Sequence, residues 1–130
     1  HSDEVTCVVL VGDLDAVVSG SRDGTVAVAD VARGHVRLRF RGHRGCSVND
    51  VVWCPTDRVL ASCAAERTVL VWTPFSDTGS STRLEGATAP VVKLTYVPWA
   101  RQLVALSADS TLRAWDLQTC TCVQAFNTAT

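Results

Sequence analysis

The chain has 130 residues, 47% of them hydrophobic, and a formal net charge of −1. That is the size of one ordinary domain with a real core, and the composition argues against a disordered chain and against a generally basic nucleic-acid binder. No apolar run approaches a membrane span and no signal-peptide pattern opens the sequence, so no membrane insertion is expected.

The first predicted strand is VTCVVL, Val5 to Leu10, apolar and rich in β-branched residues. The turn GDLD follows, then the strand AVVSG, the turn SRDG, the strand TVAVA, the link ARG, and a fourth strand HVRLRF ending at Phe40. The same order then returns. SRDGTVAVAD (Ser21 to Asp30), AAERTVLVWT (Ala64 to Thr73) and SADSTLRAWD (Ser107 to Asp116) stand 43 residues apart. Val5, Val48 and Val91 keep that interval, as do Thr25, Thr68 and Thr111, and Phe40 and Phe126 lie two intervals apart. One register across the whole chain predicts three structural repeats, each of four short strands. No stretch sustains a helical period. The first three strands are apolar at nearly every position, which predicts small sheets stacked face to face. Methionine is absent throughout, so the chain is expected to be an excerpt or a processed product.

Gly42-His43, Trp115-Asp116 and the DGT and DST turns before two third strands resemble the WD40 repeat family, and the 43-residue period fits it. The first repeat, in HSDEVTC and SGSRDGTV, also resembles WD repeats that follow BEACH domains in large trafficking proteins. The WD40 resemblance implies an all-β chain, a propeller segment of three four-stranded antiparallel blades over residues 1–43, 44–86 and 87–130. Propellers close with four to eight blades. Three blades leave apolar sheet faces open, so the expected complement is the remaining blades of a larger ring or a second chain.

The resemblance also implies a structural network of His, Ser or Thr, Asp and Trp in each blade, because buried polar groups need partners. Residue by residue it falls on His1, Ser21 and Asp23 in the first blade, with Ala29 in place of tryptophan. In the second it falls on His43 and Trp72, with Ala64 in place of serine and Glu66 in place of aspartate. In the third it falls on Ser107, Asp109 and Trp115, with Ala87 in place of histidine. Partners of such proteins often dock on the face formed by the loops entering strand one and leaving strand two. The matching positions are Glu4, Thr6 and Arg22, then Ser47, Asn49 and Ala65, then Pro90, Val92 and Ala108.

No catalytic motif stands out. GSRDG lacks the lysine and spacing of a phosphate loop and the spacing of a nucleophile elbow. The six cysteines include no CxxC pair, so neither a structural zinc site nor any other metal or cofactor is expected. They read as reduced thiols in a cytoplasmic setting, or a nuclear one. The expected function is a non-catalytic scaffold that binds other proteins. The alternative rests on RGHVRLRFRGHR, where Arg33, Arg37, Arg39, Arg41 and Arg44 form a basic strand with no acid. Such a strand is an outer edge protected by charge, or a patch for an acidic partner or nucleic acid. Phe40, its one aromatic, lies on the side opposite the arginines, which disfavours nucleic acid. TPFSDTGSSTR, Thr73 to Arg83, is expected to be an exposed loop before the fourth strand of the second blade.

Overall fold

The computed structural model describes residues 4–12, 15–43, 46–73 and 81–128. The first blade is built from β1 (Val5–Val11), β2 (Ala16–Ser21), β3 (Val26–Asp30) and β4 (His35–Phe40). The second contains β5 (Val48–Cys54), β6 (Val59–Ala64), β7 (Val69–Trp72) and β8 (Ser81–Leu84). The third contains β9 (Val91–Val97), β10 (Gln102–Ser107), β11 (Thr111–Asp116) and β12 (Thr121–Asn127). Each blade is one antiparallel sheet in sequence order. Among the described residues no helix is long and apolar enough to cross a membrane.

The backbone repeats more faithfully than the residues do. Val5 faces Ser21, Val48 faces Ala64 and Val91 faces Ser107, and each pair is followed by a β-bulge on the inner strand at Thr6, Asn49 and Val92. Asp15, Arg58 and Arg101 adopt left-handed backbone at φ 49°, 54° and 51°, closing the first turn of each blade. Gly24, Arg67 and Ser110 do so in the second turn, at φ 85°, 67° and 67°. Glycine enters that region without steric cost, whereas arginine and serine are held there by the ladders on either side.

The inner strands β1, β5 and β9 lie side by side, and two cores form between the sheets. The first joins Val11, Val18 and Val28 to Leu60, Leu70 and Trp72, with Phe40 stacked on Trp72 at 4.6 Å between ring centroids. The second joins Cys54, Cys63 and Val69 to Leu94, Leu103 and Trp115. The expectation of burial on both faces therefore describes the middle blade. In the first blade Val8 and Leu10 are 64% and 66% exposed, because among the described residues no sheet covers that side.

The expected loop is shorter than the sequence suggests. Thr82 and Arg83 pair with Val71 and Leu70, extending the ladder, so the C-terminal part of TPFSDTGSSTR is strand. Residues 74–80 of it, and also His1 and Arg44, lie outside the described residues.

Candidate interaction surfaces

The loops at one end of the blades carry the rim positions. A backbone bond ties each pair of loops: Arg22 N–H to the Glu4 carbonyl at 2.9 Å, Ala65 to Ser47 at 3.3 Å, and Ala108 to Pro90 at 2.8 Å. Ser21 Oγ also donates to the Glu4 carbonyl at 2.9 Å. Glu4 and Arg22 form an exposed ion pair at 3.2 Å, of the kind that contributes little to stability. Ala65 and Ala108 are exposed, while Ser47, Asn49, Pro90 and Val92 are half-buried. The rim thus grades from charged to small to apolar.

Two rim residues also hold the blades together. Thr6 Oγ1 donates toward the carbonyls of Gly20 and Val48. Asn49 Nδ2 donates to the Val91 carbonyl at 2.7 Å. Each reaches the equivalent carbonyl of the next blade from the bulge position. The valine side chain of Val92, at the same place in the third blade, has no polar group to donate.

His43 is fully buried, with Nδ1 2.7 Å from Glu66 Oε1 and Nε2 2.7 Å from Ser62 Oγ. An ionised carboxylate only accepts, so Nδ1–H donates to Glu66 and Nε2 accepts the Ser62 hydroxyl. The serine that pairs with His43 is thus Ser62, two residues before the Ala64 position read from the sequence. Burial lowers the His43 pKa below its ordinary 6.5, with Glu66 opposing that shift. This set has the connectivity of a Ser-His-carboxylate triad. Yet Ser62 and His43 have no solvent exposure, so a substrate carbonyl has no approach to Oγ. The set joins the β4–β5 connection to the second blade.

The other blades solve the same position differently. In the first, Asp23 Oδ1 accepts the Thr25 amide at 2.9 Å, closing the turn. In the third, Asp109 accepts the Thr111 amide at 3.1 Å and the Thr88 hydroxyl at 3.1 Å. Trp115 Nε1 donates to the Glu85 carbonyl at 2.8 Å, whereas the buried Trp72 Nε1 has no hydrogen-bond partner among the described residues. Ser107 is buried at the end of β10.

The basic strand is exposed at Arg33, Arg37 and Arg39, and Arg41 follows it into solvent. Only part of it converges. Arg39 and Arg41 line a cleft of about 580 Å³ together with Arg83, Glu66, Ser81 and the backbone around Gly42. Arg83, from the outer strand of the second blade, escaped the sequence reading because it lies more than forty residues away. Its Nη1 donates to Thr68 Oγ1 at 2.9 Å. Phe40 also touches the cleft, but its ring is buried against Trp72.

All six cysteines are free. Burial pushes the Cys54 thiol up to about 12 and raises Cys63 further still. Thiols held protonated in this way are weak nucleophiles and weak ligands.

The WD40 family model (WD domain, G-beta repeat) matches residues 1–30 and 34–73. The chain is 32% identical over 126 residues to the nuclear distribution protein nudF of Aspergillus flavus, covering 95% of this chain and 28% of that protein. It is 33% identical over 132 residues to nudF of Emericella nidulans, covering all of this chain and 30% of that protein. It is 34% identical over 78 residues to the WD repeat and FYVE domain-containing protein 1 of Mus musculus, covering 60% of this chain and 19% of that protein. The chain therefore spans less than a third of the relatives it matches.

Proposed function

The chain belongs to the WD40 repeat family, and from that premise we propose that it is a non-catalytic scaffold whose rim docks another protein. The carrying observation is the repeated rim geometry: three pairs of loops, each tied by one backbone bond, present adjacent side chains on one end of the blades. Thr6 and Asn49 are committed to the neighbouring blade, which leaves Glu4, Arg22, Ala65 and Ala108 as the exposed contacts, with Ser47, Pro90 and Val92 beside them. Their gradation favours a partner that is polar over the first blade and apolar over the third. The buried Ser62–His43–Glu66 set supports a structural rather than a catalytic reading.

The exposed Val8 and Leu10 support a second part of the proposal: the remaining blades of the parent propeller, or a second chain, cover the free side of the first blade. Six free thiols, two of them buried, favour a reducing cytoplasmic or nuclear setting. Nucleic acid is disfavoured because Phe40, the aromatic of the basic strand, is stacked inside the first core.

The test is carried out in the parent protein. Ala65→Glu and Ala108→Glu place charge on the exposed rim without touching a core. Both should abolish co-purification of the bound protein and leave the thermal unfolding midpoint within about 2 °C. Unchanged co-purification would move the docking surface elsewhere.

A further inference from the structure

We propose that the cleft between the outer strands of the first and second blades is a second docking site, specific for an acidic peptide segment. It lies apart from the rim and rests on different residues. The placement follows from how the chain leaves β4. Phe40 stacks on Trp72 of the next blade and pulls the end of the strand inward. Gly42 follows, and a Cβ there would meet the Phe40 ring at 2.6 Å and Leu70 Cδ1 at 2.7 Å. The backbone thus lies close against Leu70 of the second blade, and a side chain here would have to push Leu70 and the Phe40 ring aside. His43 then anchors on Ser62 and Glu66. The consequence is that Arg39 and Arg41, from the first blade, face the same open volume as Arg83 from the second.

The charges in this volume are unbalanced. Among the described residues three guanidinium groups meet one carboxylate, and one oxygen of that carboxylate, Oε1 of Glu66, is taken by His43. Among the described residues Arg39 and Arg41 have no acidic partner. Arg83 is held by one nitrogen on Thr68, which fixes the guanidinium; among the described residues no acid takes its remaining N–H groups. A planar guanidinium matches a carboxylate through two parallel bonds, and an anchored one loses less freedom on binding. A cleft of about 580 Å³ has room for several side chains of an extended peptide. Its one aromatic is occupied in the core, so no base can stack there. The occupant that fits is a run of glutamate or aspartate residues in another protein.

The probe is a fluorescein-labelled decaglutamate peptide, titrated with the chain and followed by fluorescence anisotropy. Saturable binding is expected, weakening as salt is raised. Arg39→Ala with Arg41→Ala, both at exposed positions, should weaken it by about tenfold or more, and Arg83→Ala by a similar factor. Arg33→Ala, which removes one charge outside the cleft as Arg83→Ala removes one inside it, should change it by less than about twofold. If Arg83→Ala fails to fold, the Arg39, Arg41 pair still decides the matter. Absence of saturable binding would overturn the proposal. So would an equal loss in Arg33→Ala, which would mean diffuse attraction. A labelled oligothymidine that binds as tightly, with the same dependence on Arg39 and Arg41, would overturn it in favour of nucleic acid. Rim variants that lose their partner protein should still bind decaglutamate, so the two sites fail independently.

Discussion

The two junctions between blades share one geometry and differ in chemistry. Across the first, Phe40 stacks on Trp72, Gly42 lies against Leu70, and His43 enters the second blade through Ser62 and Glu66. Among the described residues the second has no such aromatic pair. Asp50 Oδ2 accepts the Leu94 amide at 3.0 Å, and Asp57 receives Tyr96 Oη at 2.9 Å and Arg101 Nε at 3.1 Å. The contrast reaches single positions. Trp72 and Trp115 are one repeat apart, yet the first uses its ring face and leaves Nε1 without a partner among the described residues, while the second donates to Glu85. A propeller interface therefore specifies a spacing between sheets, which stacked rings or a set of carboxylate bonds can satisfy equally. Stacked rings concentrate the interaction in few residues, whereas polar bonds divide it.

The largest expected effect follows from that concentration. Phe40→Ala removes a buried ring from the first core and should destabilise the chain by about 3–5 kcal/mol. Tyr96→Phe removes one hydroxyl at the second junction and should cost only about 1 kcal/mol. Urea unfolding of the two variants measures both. Equal losses would mean that the junctions share their stability evenly and that the contrast is only in appearance.

The period and the four-stranded blades were legible because they depend on recurring apolar residues and on turn residues at fixed offsets. The left-handed turns were only partly so. Gly24 announces its conformation, but Arg58, Arg67 and Arg101 carry no turn signal, and the ladders around them impose it. Ser62 was missed for a different reason. Ser62 and Ala64 lie on the same side of β6, so alternation cannot say which of them meets His43; depth along the strand decides. Glu66 is one methylene longer than Asp23 and Asp109. Those aspartates fold back onto Thr25 and Thr111, whereas the Glu66 carboxylate reaches the imidazole. Arg83 joins Arg39 and Arg41 only through the packing of two blades. Its one sequence signal is that it occupies the repeat position of Phe40.

His43 gives the first junction a pH dependence. Its pKa in the folded chain lies below 6.5, chiefly because burial disfavours the imidazolium. The unfolded chain therefore binds the proton more readily between the folded value and about 6.5. Stability is full above that window and falls as the pH drops through it, with a slope of at most about 1.4 kcal/mol per pH unit. Urea midpoints from pH 7.5 to 5 should show the decline, and His43→Gln should flatten it. An identical decline in His43→Gln would assign the effect to other groups.

The smallest expected effect concerns what the junctions have in common. Thr6 and Asn49 occupy the same bulge and reach the carbonyl of the next inner strand, at Val48 and at Val91. Thr6→Val keeps the branched shape and deletes the donor; Asn49→Leu does the same at the second junction. Each removes the donor that reaches the carbonyl of the next blade and should cost about 1 kcal/mol. The Thr6 loss should be the lesser, because that side chain is more exposed and water can replace the bond. The double variant tests independence. The two bonds share no partner, so the losses should add within about 0.5 kcal/mol. A coupling well above that would show that the middle blade transmits strain from one junction to the other. The contrast between an aromatic and a polar junction would then describe one continuous unit rather than two separable contacts.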